Sequence, residues 1–359
     1  MTKKSKVALL IFMLMFAGSA LAAGVVAFTG QPTWSMQSSW NLHPMGDESY
    51  TESWLFVSRT DEGGFIFCTF MISNAGLGDF NPGVAITYYT PEGKIFSNDF
   101  KMDEEHLHYA QSGLNLRVDD LRLWKQGNVV RMVIPRGKVL LDLTLRPTVQ
   151  PWRQGSGVLE LGNSDDTWNW AVSLPRARIS GTVTAGGKTI DAAGWGYLDH
   201  TWSNQAFFDF SSNWNTLRVH GAKRTFNFLQ IVASKKLGRA TARSLMMAED
   251  GKPVRATSKV KYKVLSTLNR NGYTHPKEFI VQGNVGGVQV TLEARNGRYG
   301  EAIDPLRSLS GIERTAIRAL VTKPQMYRVI MDTKVTVVEN GMTETEDLGA
   351  IGAMLYFAQ

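Results

Sequence analysis

The chain has 359 residues, of which 43% are hydrophobic and 20% are charged, and its formal net charge is +7. This composition is too apolar and too weakly charged for a disordered chain, and the length suits about two domains of ordinary size. The single cysteine, Cys68, excludes an intramolecular disulfide and a multi-thiolate metal site. The fold must therefore depend on its hydrophobic core.

The first thirty residues have the pattern of a secretory signal. Three lysines within the first six residues precede an unbroken apolar run from Val7 to Phe16, and Ala20 to Ala22 offer small residues for cleavage. Apolar residues continue to Phe28, so the segment is also long enough to stay as a membrane anchor. Both alternatives predict an exported chain, either periplasmic or anchored and facing the periplasm.

The charge of the remaining chain argues against a nucleic-acid partner. Cleavage of the signal removes three lysines and lowers the formal charge from +7 to +4, which is only mildly basic. A local cluster contains Lys235, Lys236, Arg239 and Arg243. Such a cluster is either a solvated face or a contact for an anionic lipid headgroup.

His106 and His108 are the residues with the spacing of two metal ligands. They share a face if their segment is extended, and Glu104 and Glu105 are adjacent. No third histidine in a similar context follows, so a polar loop or an exposed strand is the favoured interpretation. We therefore predict no metal site and no cofactor. Cys68 alternates within an apolar run and is expected to be a small buried hydrophobic residue.

Beyond residue 50 the hydrophobic pattern has a period of two. Leu141, Leu143 and Leu145 alternate with polar residues, and the runs that start at Trp168 and Val288 alternate in the same way. Glycine-rich turn signals separate these runs at short intervals. The pattern predicts an all-β fold of antiparallel sandwich or barrel type. One stretch, Leu306 to Val321, has helical spacing and is followed by a proline.

The domain boundary is expected after the segment that ends at Asn204. Roughly eight strand-like runs lie on each side of it, which is enough for one small barrel per side. The predicted organisation is a signal peptide or anchor at 1–30, an N-terminal domain at 31–204 and a C-terminal domain at 205–359.

Five runs within residues 50 to 235 have a distinctive order and spacing: Leu116 to Asp120, Leu141 to Leu145, Trp168 to Trp170, Leu174 to Gly181 and Gly194 to Trp202. In this order and spacing the chain resembles the lipocalin-like superfamily of carotenoid hydratases (hydroxyneurosporene synthases) and AttH-type proteins. The resemblance implies two tandem lipocalin-like antiparallel β-barrels with an apolar cavity. Some members use such a cavity for binding, and others use it to hydrate or cyclise isoprenoid and polyketide chains.

The resemblance also implies roles for two residues. In the hydratases, a Tyr-x-Asp motif supplies an aspartic acid that protonates a carbon–carbon double bond, and this motif maps onto Tyr197 and Asp199. The hydratases also place a histidine two residues before a tryptophan. The matching positions here are Trp168 and Trp170, so the tryptophan is kept and the histidine is lost, which weakens the hydratase interpretation.

The residues themselves leave two interpretations of this segment open. In an extended strand, Tyr197 and Asp199 point to one side while His200 and Trp202 point to the other, so Asp199 and His200 are not an acid–base pair. A buried Asp-His motif beside tryptophan is often a hydrogen-bonded knot that joins elements. The alternative is a chemical or ligand-contacting role, with Asp199, Tyr197 and His200 as the candidate catalytic residues.

Two functions follow from these observations. The favoured one is an exported binding protein for a long hydrophobic, isoprenoid or lipid-like molecule held in a barrel cavity. The residues expected to line the cavity are Trp168, Trp170, Trp202, Phe226 and Phe228, although aromatics on one strand face are also common in an ordinary core. The alternative is a hydratase or cyclase in which Asp199 is the general acid. Besides the hydrophobic ligand, we expect the N-terminal segment to allow association with a membrane.

Overall fold

The computed structural model describes residues 25–28, 33–34, 39–74, 79–162, 165–303, 315, 318–319 and 323–357. About two thirds of these residues lie in strands, which form two curled antiparallel half-barrel sheets, and little of the rest is helical. The predicted all-β class with two antiparallel barrel-like units is therefore confirmed. Of the candidate signal or anchor, residues 1–30, only residues 25–28 are described. Val25–Ala27 form a strand that pairs with Val158–Leu161, and Phe28 is buried against Trp168 and Trp170.

The first sheet contains sixteen strands within the described part of the chain, in the central order β6-β5-β4-β3-β16-β14-β11-β10-β9-β8-β7. These strands are β1 (Val25–Ala27), β2 (Thr33–Trp34), β3 (Thr51–Thr60), β4 (Phe65–Ser73), β5 (Asn81–Tyr89), β6 (Ile95–Lys101), β7 (Leu107–Tyr109), β8 (Asn115–Val118), β9 (Leu121–Gln126), β10 (Val129–Ile134), β11 (Val139–Pro147), β12 (Trp152–Arg153), β13 (Val158–Leu161), β14 (Thr167–Ala185), β15 (Lys188–Asp191) and β16 (Gly194–Ser203).

The second sheet contains nine strands in the same described part, in the order β20-β19-β18-β17-β25-β24-β23-β22-β21. These strands are β17 (Ser211–His220), β18 (Arg224–Ala233), β19 (Thr241–Glu249), β20 (Arg255–Thr257), β21 (Val260–Arg270), β22 (Tyr273–Val285), β23 (Val288–Ile303), β24 (Gln325–Glu339) and β25 (Met342–Tyr356). The chain changes sheet between Ser203 and Ser211. The division into two domains at 204/205 remains a proposal.

Helical structure is sparse. The one α-helix with described bounds is α1 (Phe207–Phe210), and two 3₁₀ turns span Glu104–His106 and Lys235–Leu237. Of the predicted helix near the C-terminus, Thr315, Arg318 and Ala319 are helical, and the other residues of 306–321 lie outside the described residues. Among the described residues, no helix has the length and apolar character needed to span a membrane.

Each sheet curls around its own hydrophobic core because apolar residues alternate along its strands. In the first sheet, Leu141, Leu143 and Leu145 are buried on one face of β11, as the period of two predicts. In the second sheet, Val290 and Leu292 of β23 are likewise buried in the core on one face of their strand. Cys68 is fully buried in the first core, as expected for a small hydrophobic residue.

The two sheets pack against each other through their outer faces, and we call this contact the seam. Two apolar clusters fill it, one around Trp168, Trp170 and Leu229, the other around Phe67 and Ile351. Residues 168–177 of β14 are therefore buried on both faces of the strand. The alternation of apolar and polar residues from Trp168 onwards is typical of a half-buried strand, but the second sheet covers the face that would otherwise meet solvent.

Arg176 is a fully buried cation that crosses the seam. Its guanidinium donates to the carbonyl oxygens of Gly221 and Ala222 at 2.9 and 2.6 Å, and to Asp250 Oδ1 at 2.7 Å, all in the second sheet or its loops. Its other face stacks on Trp195 at 3.4 Å from the ring centroid. A buried charge is tolerated only when it is paired and hydrogen-bonded, so Arg176 fixes how the sheets are placed.

We predict that Arg176→Lys lowers the free energy of unfolding by about 2–3 kcal/mol, because lysine cannot reproduce the planar fork of donors and leaves buried carbonyls unpaired. Arg178→Lys is the matched control: Arg178 is two residues along, is exposed and pairs with Asp61, so about 0.5 kcal/mol is expected. Chemical denaturation of both variants measures this. Equal losses in the two variants would contradict the role of Arg176.

Candidate functional site

Strand β16 divides the candidate motif between two environments. Tyr197 and Asp199 face the seam, whereas His200 and Trp202 face the opposite side of the sheet, as the alternation of side chains predicts. All four residues are buried, and Asp199 is 4% exposed. The motif therefore forms two separate sites that share one strand.

A polar network surrounds Asp199 in the seam. Tyr197 donates its hydroxyl to Asp199 Oδ2 at 2.8 Å, and Asn227 Nδ2 donates to the Tyr197 oxygen at 2.8 Å. Arg218 Nη2 and Trp170 Nε1 donate to the same Asp199 oxygen at 3.2 and 3.4 Å. Arg218 and Asn227 belong to the second sheet, so this network joins the two sheets.

Burial and charge act in opposite directions on the Asp199 carboxyl. Burial raises its pKa above the ordinary value, and the Arg218 guanidinium and the Tyr197 hydroxyl partly offset that effect. Burial and the nearby Asp199 charge also raise the pKa of Tyr197, so its hydroxyl remains a donor. The arrangement can hold an ion pair or, if the carboxyl takes up a proton, supply an acid to a neighbouring group.

The network is not fully satisfied by its own members. Arg218 Nε, Asn227 Oδ1 and His220 Nε2 are buried and have no hydrogen-bond partner among the described residues. Burial, reinforced by Arg176 and Arg218, lowers the pKa of His220 to about 3, so its ring is neutral. Unpaired buried polar atoms are costly, and here they sit on neighbouring positions of β17 and β18.

An aromatic cluster continues the seam beside this network. Trp168 and Trp170 stack at 6.4 Å, Trp152 meets Trp170 edge-on at 6.0 Å, and Trp214 meets Trp168 edge-on at 4.9 Å. Trp152 Nε1 and Trp168 Nε1 are buried and unpartnered within the described structure, whereas Trp170 Nε1 reaches Asp199. The seam thus combines a large apolar surface with several unused hydrogen-bonding groups.

The opposite face of β16 carries a second polar cluster centred on Glu52. His200 Nε2 contacts Glu52 Oε1 at 2.5 Å, and His43 Nδ1 contacts the same oxygen at 3.3 Å. Tyr50 donates its hydroxyl to Glu52 Oε2, and Ser39 O lies 3.2 Å from His200 Nδ1. Burial raises the pKa of Glu52, but these hydrogen bonds outweigh it and hold the pKa at about 2.

The Glu52 cluster is also the group that could hold a metal ion. The ligand atoms of His43, Glu52 and His200 lie within 4.8 Å of one another, and two imidazoles with one carboxylate are a donor set that zinc uses. In the present geometry, however, they bond directly to one another. Trp202 stacks on His43 at 3.8 Å and Trp54 on His200 at 4.3 Å, which fixes both rings.

The sequence interpretation did not include Glu52 or His43. Glu52 lies between Tyr50 and Trp54 at a position of β3 that alternates with apolar residues and faces the first core. A glutamate in the buried register of a strand requires a partner, and this was the available signal. The partner on β16 could not be identified, because His200 is 148 residues away along the chain.

The structure separates the five expected ligand-binding residues. Trp168 and Trp170 lie in the seam, and Trp202 stacks on His43 on the other face of the first sheet. Phe226 and Phe228 belong to the core of the second sheet. A single barrel cavity lined by all five residues is therefore not formed. The structure also corrects the suggestion that His106 and His108 share a strand face, because His106 ends a 3₁₀ turn. Its Nδ1 lies 2.6 Å from Asp119 Oδ1.

Comparison with known proteins relates the chain to one family and fold. A family model described as AttH-like matches residues 82–299. The ceramide-binding protein svf1 of Schizosaccharomyces pombe is 19% identical over 312 residues, which cover 80% of each protein.

Two solved structures have the same fold. An AttH-type protein from Nitrosomonas europaea superposes with a TM-score of 0.63 at 16% identity, covering 94% of this chain and 100% of that one. Kievitone hydratase from Nectria haematococca superposes with a TM-score of 0.58 at 12% identity, covering 95% of this chain and 97% of that one.

We predict that Glu52→Gln lowers the free energy of unfolding at neutral pH by about 3–5 kcal/mol, because it removes the carboxylate from a buried pair. The pKa of Glu52 is about 2 in the fold against an ordinary 4.5. Its stabilisation is therefore complete above pH 4.5 and is lost as the pH falls towards 2, and the variant lacks that part of the acid dependence. Chemical denaturation between pH 2 and 7 measures the pH dependence of the free energy of unfolding. Asp142→Asn, at an exposed carboxylate, is the control. If Glu52→Gln had the same stability and the same pH dependence as the parent protein, the predicted role of Glu52 would be contradicted.

Proposed function

The chain belongs to the AttH-like family, and from this membership we propose that it binds a long, lipid-like hydrophobic molecule at the seam between its two sheets. The ligand's apolar part lies among Trp152, Trp168 and Trp170, and its polar group lies near Asp199. This location differs from the barrel interior expected from the sequence, because the residues expected to line that interior lie in three separate clusters.

One observation carries the proposal: buried hydrogen-bonding atoms without partners lie in and beside a large apolar cluster. The indole N–H groups of Trp152 and Trp168 are donors, Arg218 Nε is a donor, and Asn227 Oδ1 is an acceptor. An amphipathic molecule with hydroxyl or amide groups on a long chain supplies both kinds of partner. The relative svf1 is a ceramide-binding protein, which supports this chemical class.

The proposal predicts an effect of Trp168→Phe, which keeps an aromatic ring but removes one unpaired N–H. Loss of a single hydrogen bond should weaken binding of a long-chain ceramide by about fivefold to tenfold. Trp124→Phe, in strand β9 of the first sheet, is the control and should bind like the parent protein.

Two measurements test the seam site. Native mass spectrometry of protein purified from its own membrane extract should reveal a co-purifying lipid, and quenching of tryptophan fluorescence should give the relative affinities. If Trp168→Phe and Trp124→Phe bound ceramide with equal affinity, or if the parent protein bound no lipid, the seam would not be the binding site.

A hydratase or cyclase is the second candidate function. It is favoured by one feature, the Asp199 carboxyl whose pKa burial raises and whose neighbour is the Tyr197 hydroxyl. It is disfavoured by the Arg218 guanidinium on the same carboxyl oxygen, which stabilises the ionised form that cannot donate a proton. Catalysis would require no cofactor, only Asp199 as the acid and a water molecule that adds to the alkene.

Asp199→Asn separates the two functions. If the protein only binds its ligand, the variant should lose about 3 kcal/mol of the free energy of unfolding, because Arg218 is left without its charge partner. No enzymatic activity would then be measurable in either protein. As an enzyme, it should lose conversion of a linear isoprenoid by orders of magnitude, since the amide has no titratable proton. A thermal melt measures the stability, and mass spectrometry for a product heavier than the isoprenoid by one water molecule measures the conversion. A variant unchanged in both assays would remove Asp199 from either function.

Export is part of the same proposal. The lysine-rich start and the apolar run from Val7 to Phe16 support a chain that works in the periplasm or anchored to its membrane. N-terminal sequencing of protein from the periplasmic fraction distinguishes cleavage near Ala22 from a retained anchor. Recovery of the intact chain from the cytoplasm would contradict export.

A further inference from the structure

A cavity of about 480 Å³ lies at one end of the second sheet, away from the Asp199 network. Strand ends and loops of this sheet form it, and its lining residues are Ser212, Arg239, Asn271, Gly272, Tyr273, Lys323, Gln325 and Phe357. The volume is within the usual range for small-molecule sites, and the mouth of a curled sheet is a common place for them. The seam proposal does not use this cavity.

Two cations lie on the cavity wall. Arg239 belongs to the loop between β18 and β19, and Lys323 precedes β24, so the two approach the cavity from different parts of the sheet. Neither side chain forms an ion pair within the described part of the chain. Unpaired cations on a concave wall attract an anionic group and can hold it through charge-assisted hydrogen bonds.

The segments that carry these cations are held in place by hydrogen bonds. Tyr273 donates its hydroxyl to Lys323 O at 2.6 Å, and Gln325 Nε2 donates to Asn271 O at 3.2 Å. Asn271 and Gly272 both have positive φ, at 52° and 83°, which is the geometry of a tight two-residue hairpin turn. The cavity is therefore built on a fixed frame.

The interior behind the cavity is polar and incompletely satisfied. His275 is fully buried, and neither of its ring nitrogens has a hydrogen-bond partner of good geometry among the described residues. Its ring lies 6.3 Å from that of Tyr273, which lines the cavity, and 4.5 and 4.8 Å from those of Tyr356 and Tyr327. Such an interior suits the polar end of a ligand better than its apolar end.

Strand β21, which ends just before the Asn271–Gly272 turn at the cavity, carries exposed apolar residues. Leu268 is paired with His275 and Val264 with Phe279, so both face the inside of the curl. Because β21 is the edge strand, they remain 38% and 40% exposed. Together with Leu265 they are three of the six large hydrophobic residues that are exposed within the described structure. Exposed apolar residues on one strand can form part of a ligand surface.

We propose that this cavity is a second binding site, for an amphiphile with a single anionic head group. The carboxylate or phosphate head lies between Arg239 and Lys323, in front of Tyr273. The alkyl tail covers Leu268 and Val264 on the open edge of the second sheet. The cavity offers two cations without an ion pair among the described residues, whereas the Arg218 cation of the seam is already paired with Asp199, so the two sites differ in the class of ligand they take.

Equilibrium dialysis of the full chain with radiolabelled dodecanoate, below its critical micelle concentration, tests the proposal. One saturable site is expected. The double variant Arg239→Gln/Lys323→Gln should weaken binding at least about tenfold. The matched control, Arg117→Gln/Lys138→Gln in exposed positions of the first sheet, should bind within about twofold of the parent protein. Trp168→Phe and Asp199→Asn should also leave dodecanoate binding unchanged, which separates this site from the seam.

Related ligands identify the part of the molecule that is recognised. Dodecanol, which lacks the charge, and hexanoate, which lacks most of the tail, should each bind at least about tenfold more weakly than dodecanoate. Leu268→Ser should weaken dodecanoate but not hexanoate. Dodecyl phosphate determines which head group is preferred. Absence of saturable dodecanoate binding, equal binding by the Arg239/Lys323 variant, or equal binding of dodecanol would overturn the proposal.

Discussion

A charged side chain buried between two sheets needs a charged or hydrogen-bonding partner, and in the seam that partner comes from the other sheet. Asp199 meets Arg218 across the seam, and Arg176 meets the carbonyls of Gly221 and Ala222 together with Asp250. A shift of one sheet against the other would leave these charges unpaired in a low-dielectric region, which costs several kcal/mol. The polar contacts therefore determine the relative position of the sheets, while the apolar clusters supply most of the attraction.

The same constraint explains where a ligand can be recognised. The inner face of each curl is filled by core side chains such as Leu143 and Leu292, and the seam and the end of the second sheet are among the places where described buried polar atoms lack partners. Unsatisfied buried groups are rare in stable proteins and are usually explained by water, ions or ligands. The seam combines such atoms with a large apolar cluster, and the cavity beside Tyr273 adds two cations without an ion pair in the described part of the chain.

Much of this fold follows from local sequence, and much of the site does not. Alternation in β11 and β16 correctly predicts which side chains share a face, because the period of two depends only on the strand itself. The double burial of β14 and the Arg218 partner of Asp199 depend on the second sheet, which no local pattern specifies. Arg176 belongs to a recognisable family motif, yet its role as a link across the seam becomes visible only when the loop at Gly221 is placed beside it.

A lipid-like ligand bound at the seam contacts both sheets at once under the proposed function. Hydrogen–deuterium exchange of the protein with and without a bound long-chain ceramide tests this most directly, because it reports protection strand by strand. The account predicts slower exchange on binding in residues 167–174 of the first sheet and in residues 214–231 of the second. Slower exchange confined to strands that contribute nothing to the seam, such as residues 121–126 and 129–134, would contradict this proposal.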